Sequence, residues 1–152
     1  MRPYVRFASM VAVSTVVMFR LMYLNTYELD HVEFSETRAY MALVMGAVMA
    51  LIMLAFMGHM LENRGWNLGI AAVAATVFGV SLWLVRSQAT VDQVSYMRAM
   101  IPHHSIAILT SKRAHIEDPR VRALADGIVD AQVREIGEMK GLIADLERRP
   151  SR

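Results

Sequence analysis

Two thioethers, two imidazoles and a proline lie close together in Met97-Arg98-Ala99-Met100-Ile101-Pro102-His103-His104. Sulfur and imidazole nitrogen together make a donor set for a soft metal ion. Met100 precedes His103 by three residues and His104 by four, so on a helix its sulfur shares a face with both rings. Met97 lies one turn further back. The chain has 13 Met and no Cys in 152 residues. Thiolate sites, zinc knuckles, disulfides and a cysteine nucleophile are therefore excluded, and soft-metal binding would have to rest on Met and His.

Such residues need helices to position them. Val94, Met97, Ile101, His104, Ile108, Ser111 and His115 follow alternating steps of three and four, a seam that a helix buries against a partner. Thr90-x-x-Gln93 reads as its capping box, and the helix is expected to run to about Ile116. Pro102 should kink it and free a carbonyl near the cluster. Asp118-Pro119 opens a second helix to about Glu147, with apolar positions at Val121, Leu124, Ile128, Ile136, Met139, Leu142 or Ile143, and Leu146. Folding this hairpin about residues 117 and 118 makes facing residue numbers sum to about 235. Met97 then faces Glu138 and Met139, Met100 faces Glu135, and His103 and His104 face Ala131 and Gln132. The resulting Met/Met/Met/His set suits cuprous copper better than zinc or iron. His104 and His115 cannot share one ion, being roughly 16 Å apart along the helix. The same residues at helical spacing also serve as plain core packing, and that reading stays open.

The rest of the chain is of another kind. Apolar residues make up 55% and charged residues 20% of the whole, and the apolar ones crowd into the first 85 positions. Apolar segments at about 4–24, 39–61 and 67–85 are each long enough to cross a bilayer, which gives a membrane region over 1–86 and a helical domain over 90–148. The first could pass for a signal peptide, but no small-x-small cleavage site follows Phe19, so it reads as an uncleaved anchor. Ala71, Ala72, Ala74, Ala75, Gly79 and Ser81 suit the third segment to close helix contact. Arg2, Arg6 and Arg64 flank one side and the acidic stretch Glu28, Asp30, Glu33, Glu36 the other. The N-terminus is thus expected in the cytoplasm and the domain in the periplasm of a bacterial inner membrane. Tyr23, Tyr27, Tyr40 and Trp83 would form the outer aromatic belt, Tyr4 and Trp66 the inner one. Met41, Met45, Met49, Met53 and Met57 recur every four residues in the second segment. They read either as accommodating apolar side chains or as a soft-ion path ending at His59, with His31 as an outer capture point.

Met97-x-x-Met100-Ile-Pro-His103-His104, then Asp118-Pro119, then Ala131-Gln132-x-x-Glu135-Ile136-x-x-Met139, resembles the bacterial ferritin-like domain-of-unknown-function family three-hundred-and-five, whose better-studied members bind copper. The resemblance covers about residues 92–147. It implies a periplasm-facing helical domain with a Met/His copper site carried by Met97, Met100, His103, His104 and Met139. Glu135, His115 and His31 are further candidates. The chain departs from the pattern at Leu109 and Thr110, where relatives often carry an acid and a Met.

These readings converge on an all-α protein: three transmembrane helices, then a periplasmic two-helix hairpin, a ferritin-like half bundle completed by dimerisation or higher homo-oligomerisation. The expected function is membrane-anchored copper binding for tolerance or trafficking, with a lipid bilayer and copper-handling proteins as partners. The alternative is a non-catalytic interaction module whose His residues are core or pH-responsive groups; a copper transporter built on the Met ladder is a third reading. A net charge of +2 with scattered basic residues gives no nucleic-acid footprint. No Ser/His/Asp set or phosphate loop is present, and the one Glu-x-x-His, Glu28 to His31, lies in a loop, so no enzyme is expected.

Overall fold

The computed structural model describes residues 2–148, apart from the side chains of Arg2 and His59. The described residues form α1 (Arg2–Leu21), α2 (Glu36–Met57), α3 (Arg64–Ser87), α4 (Gln93–Arg113) and α5 (Pro119–Arg148), with 3-10 turns at Leu29–His31 and Gly58–Met60 and no strand. The contacts divide the chain into two units: residues 1–22 with 37–90, and residues 23–36 with 91–152. One boundary between them falls near residue 90. The loop between the first two helices, however, belongs with the hairpin and not with the apolar segments that flank it.

In the first unit α1, α2 and α3 are long and apolar enough to cross a membrane. α2 buries Ala42, Gly46, Ala47 and Ala50, so close contact there rests on side chains of almost no bulk. At Gly46 an added Cβ would collide with Thr15 Oγ1. Of the small residues expected to pack in α3, only Ala74 and Ser81 are buried. Phe7, Ala50, Leu61 and Ala74 form the core, while Val13, Phe56 and Val73 are among many large apolar side chains left exposed. Asn63 caps α3, accepting from the Trp66 N–H at 3.0 Å. Gln88 ends it in the left-handed region at φ 53° and donates its N–H to Leu84 O at 2.9 Å. Tyr4 packs beside Trp66 and donates to Asn67 Oδ1 at 3.0 Å.

In the second unit α4 starts two residues later than expected. Asp92, not Thr90, is the cap, its carboxylate accepting from the Ser95 N–H at 2.7 Å. A carboxylate also meets the positive end of the helix dipole, which a threonine hydroxyl does not. Thr90 instead pairs its hydroxyl with that of Tyr40 at 2.8 Å. The helix runs unbroken across Pro102 and stops at Arg113. Asp118 opens α5 as anticipated, its side chain accepting from the Arg120 N–H at 2.8 Å.

Met97, Ile101, Ile108, Ile136 and Ile143 make the hairpin core, with Val129, Met139, Leu146 and Tyr27 packed against it. The buried stripe of α5 runs through Ala125, Ile136 and Ile143, whereas Val121, Leu124 and Ile128 are exposed. The expected stripe therefore holds through Ile136, Met139, Ile143 and Leu146; only its first part is rotated, Ala125 and Val129 packing inward in place of Leu124 and Ile128, because α5 carries two adjacent apolar stripes there and periodicity alone does not rank them.

Residues 23–36 form a strap along α4. Its ends are drawn together where the Ser35 N–H donates to the Tyr23 hydroxyl at 3.1 Å. The Tyr27 N–H donates to Ser105 Oγ at 2.7 Å, and His31 Nδ1 shares a hydrogen bond with the same oxygen at 2.9 Å. Lys112 Nζ reaches the Tyr27 hydroxyl at 3.1 Å. Glu33 lies 3.8 Å from Arg98, and Asp30 pairs with Lys140 of α5, which holds the Asp30 carboxyl below the usual carboxylate range. Tyr27 is thus a hairpin contact, not part of an aromatic belt.

Candidate metal centre

His104 is the focus of the expected site. Its Nδ1 lies 3.2 Å from Glu135 Oε2, yet the approach is too oblique for a hydrogen bond, and the nitrogen is buried without another partner. Burial lowers the His104 pKa from 6.5; the Glu135 carboxylate opposes this, and His103 adds to the lowering. The ring is therefore held toward its neutral form, the form that donates a lone pair to a metal. The partner sits about one turn from the Ala131 and Gln132 expected. Side chains of both helices lean toward their own N-termini, so in an antiparallel pair the residues whose tips meet have numbers that sum to more than the backbone register does. The Arg98–Glu147 ion pair departs in the same sense.

Met97 is buried and shares a cluster with Met139, as the hairpin pairing anticipated. Met100 is half-buried, one turn before His104, and His103 is exposed, its ring centre 6.1 Å from that of His104. Met97 with Met139, and His104 with Glu135, thus mark two points of the α4–α5 pair about two turns apart along α4. His115 does not join them. α4 ends before it, and its side chain is 93% exposed beside Glu117 at 3.5 Å. His31, the expected outer capture point, is buried against Ser105, the residue after His104. Ser105 itself, wholly buried, escaped the seam analysis because it lies one step off the seam, on a face that needs a second partner.

Among the described residues no three His, Asp or Glu side chains are grouped so as to hold an ion. A metal here would have to take thioether sulfur as part of its donor set, which favours a soft ion over zinc or iron. The buried, unpartnered His104 Nδ1 fits such a role. Met41, Met45, Met49, Met53 and Met57 are all half-buried, beside the small-residue face of α2. The expected inner end of that ladder, His59, has its side chain outside the described residues.

Comparison with known proteins adds the following. The family model described as "Domain of unknown function (DUF305)" matches residues 93–152. The chain is 30% identical to the "Uncharacterized protein L153" of Acanthamoeba polyphaga mimivirus over 143 residues, covering 89% of this chain and 91% of that protein. That similarity extends well beyond the hairpin. No solved structure matches the chain.

Proposed function

The chain belongs to the DUF305 family, a domain of unknown function, and from that premise we propose that it is a membrane-anchored protein that binds cuprous copper through Met and His side chains, serving copper tolerance or trafficking. The observation that carries the reading is His104: a buried imidazole nitrogen with no hydrogen-bond partner, kept toward its neutral form, in a hairpin whose core holds Met97 and Met139. Met100 and His103 extend the donor set to the surface, where an incoming ion could exchange, and Glu135 supplies a compensating charge. Bound copper would add the affinity of a soft Lewis acid for thioether sulfur.

Three helices of spanning length support the anchor. Three spans would also put the strap and the hairpin on one side of the bilayer, because α1 leaves and α2 enters on the face where α3 emerges; both stretches fall in one unit. The acidic strap and the basic Arg6 and Arg64 favour the periplasmic side for the hairpin. Arg38, a basic residue at the acidic end, donates to Met22 O at 2.6 Å, where it complements the C-terminal dipole of α1.

The test is titration of the purified full-length protein with cuprous ion against a competing chromogenic chelator. Stoichiometric uptake is expected, with affinity lowered at least about tenfold when Met100→Leu and His104→Ala are combined. A native protein that takes up no copper ends the proposal. A second reading, an interaction module without metal, is favoured by the exposed Val121, Leu124 and Ile128 of α5; it requires an assembly state indifferent to copper.

A further inference from the structure

The strap exposes more apolar surface than a water-facing loop of its length needs. Several of its polar groups are engaged by the hairpin: Tyr27 N–H and His31 meet Ser105, Glu33 meets Arg98, and Asp30, itself 84% exposed, pairs with Lys140. Glu28 lies 3.8 Å from His31 Nε2. Its large apolar side chains turn outward: Leu24 is 78% exposed, Leu29 90%, Val32 45% and Phe34 62%. Single exposed apolar residues need no explanation, but four in one short segment mark a surface that meets an apolar medium.

Connectivity names that medium. The strap is tethered at one end to α1 and at the other to α2, both of spanning length. Leu29, its most exposed residue, lies seven positions before Glu36, so even a fully extended chain keeps it within about 25 Å of the start of α2. With its ends drawn together through Tyr23 and Ser35, it reaches much less far. A segment that is apolar on one side, polar on the other and fastened beside bilayer-crossing helices has the character of an interfacial anchor.

We infer that the strap lies in the membrane interface, with Leu24, Leu29, Val32 and Phe34 embedded among lipid headgroups and upper acyl chains, and that its inward polar face holds α4 by the Ser105 clasp. The inference rests on the membrane reading proposed above. Its consequence is that the metal-binding hairpin is fastened to the bilayer surface through Ser105, adjacent to His104, and is not free on a linker.

The chain has no cysteine, so single substitutions label uniquely. The full-length protein, reconstituted in phosphatidylcholine–phosphatidylglycerol nanodiscs, would carry one thiol-linked fluorophore at Leu29→Cys, Phe34→Cys, Val73→Cys or Glu117→Cys. Val73, exposed on α3, is the bilayer reference, and Glu117, exposed between α4 and α5, is the water reference. Leu29→Cys and Phe34→Cys are expected to be quenched by lipids brominated high on the acyl chain, with iodide quenching several-fold weaker than at Glu117→Cys. Iodide quenching equal to that at Glu117→Cys, with Val73→Cys still quenched by lipid, overturns the strap assignment and leaves the spans standing. Shielding from iodide without lipid quenching also overturns it, since a protein surface would then be the cover. Loss of lipid quenching at Val73→Cys overturns the membrane reading and this inference with it.

Discussion

His104 couples folding to pH because its ring exchanges water for the α4–α5 interior while its Nδ1 gains only an oblique approach to Glu135. Its pKa is lowered in the folded chain, by burial first, so the unfolded chain takes up the proton first as pH falls below 6.5. Stability carried by this group is thus fully present above pH 6.5 and is lost as pH falls through the lowered folded value. Protons compete with a metal for the same lone pair, so copper affinity should fall in the same direction. On lowering pH from about 7.5 to about 5, the native protein should lose stability more steeply than His104→Gln, which has no proton to take up there. Thermal unfolding in detergent at each pH checks this; parallel curves would remove His104 as the titrating group. The residues of the site were partly legible in the sequence. The pairing of Met97 with Met139 followed from where the hairpin must turn, and Glu135 was placed in the right neighbourhood. His115 was not, because the seam was extended past Arg113, where α4 ends. The burial of His31 is not legible either, because nothing in a local pattern of Asp30 and Glu33 reveals a long-range partner such as Ser105.

At the scale of elements α4 has two partners, α5 on one side and the strap on the other, and Ser105 belongs to the second contact. Ser105→Ala would leave the Tyr27 N–H and the His31 nitrogen unsatisfied in a buried place, a cost of about 1–3 kcal/mol. Thr110→Ala, removing an exposed hydroxyl that only back-bonds to its own helix at Ile106 O, should change stability little. Chemical unfolding of the two variants distinguishes a clasp from a passive contact; equal stabilities would discard it. The cap gives a parallel case: Asp92→Ala is expected to lower the unfolding midpoint and Thr90→Ala to lower it far less. The five helices, their order and the Asp118-Pro119 start were all readable from apolar periodicity and turn chemistry. Which face each helix buries was less so. A stripe of period 3.6 locates its centre only when one neighbour covers it. On α4 the strap adds a second covered face at Ser105, and on α5 two apolar stripes lie side by side.

The whole molecule joins in one chain a small domain of two helices and a strap and a unit of three apolar helices. Two helices bury little core alone, and the smallest closed helical layer usually needs four. The strap already covers one side of α4, and beyond the strap's own outer face α5 leaves apolar side chains exposed, among them the stripe of Val121, Leu124 and Ile128. A second copy, bringing the same stripe, would complete a four-helix bundle with an isologous interface in which each residue meets its own counterpart or a near neighbour across a two-fold axis. Leu124→Glu would then place two carboxylates in or near the apolar centre of that interface, where burial without a partner is strongly unfavourable. The native full-length protein should be dimeric by light scattering in mild detergent, and Leu124→Glu should be monomeric at the same concentration. Because Leu124 is exposed within one chain, the variant's helix content should match that of the native protein, so loss of the dimer would not reflect unfolding. A native protein that is monomeric throughout would rule out the bundle while leaving His104 and its thioether neighbours to bind a metal within one hairpin.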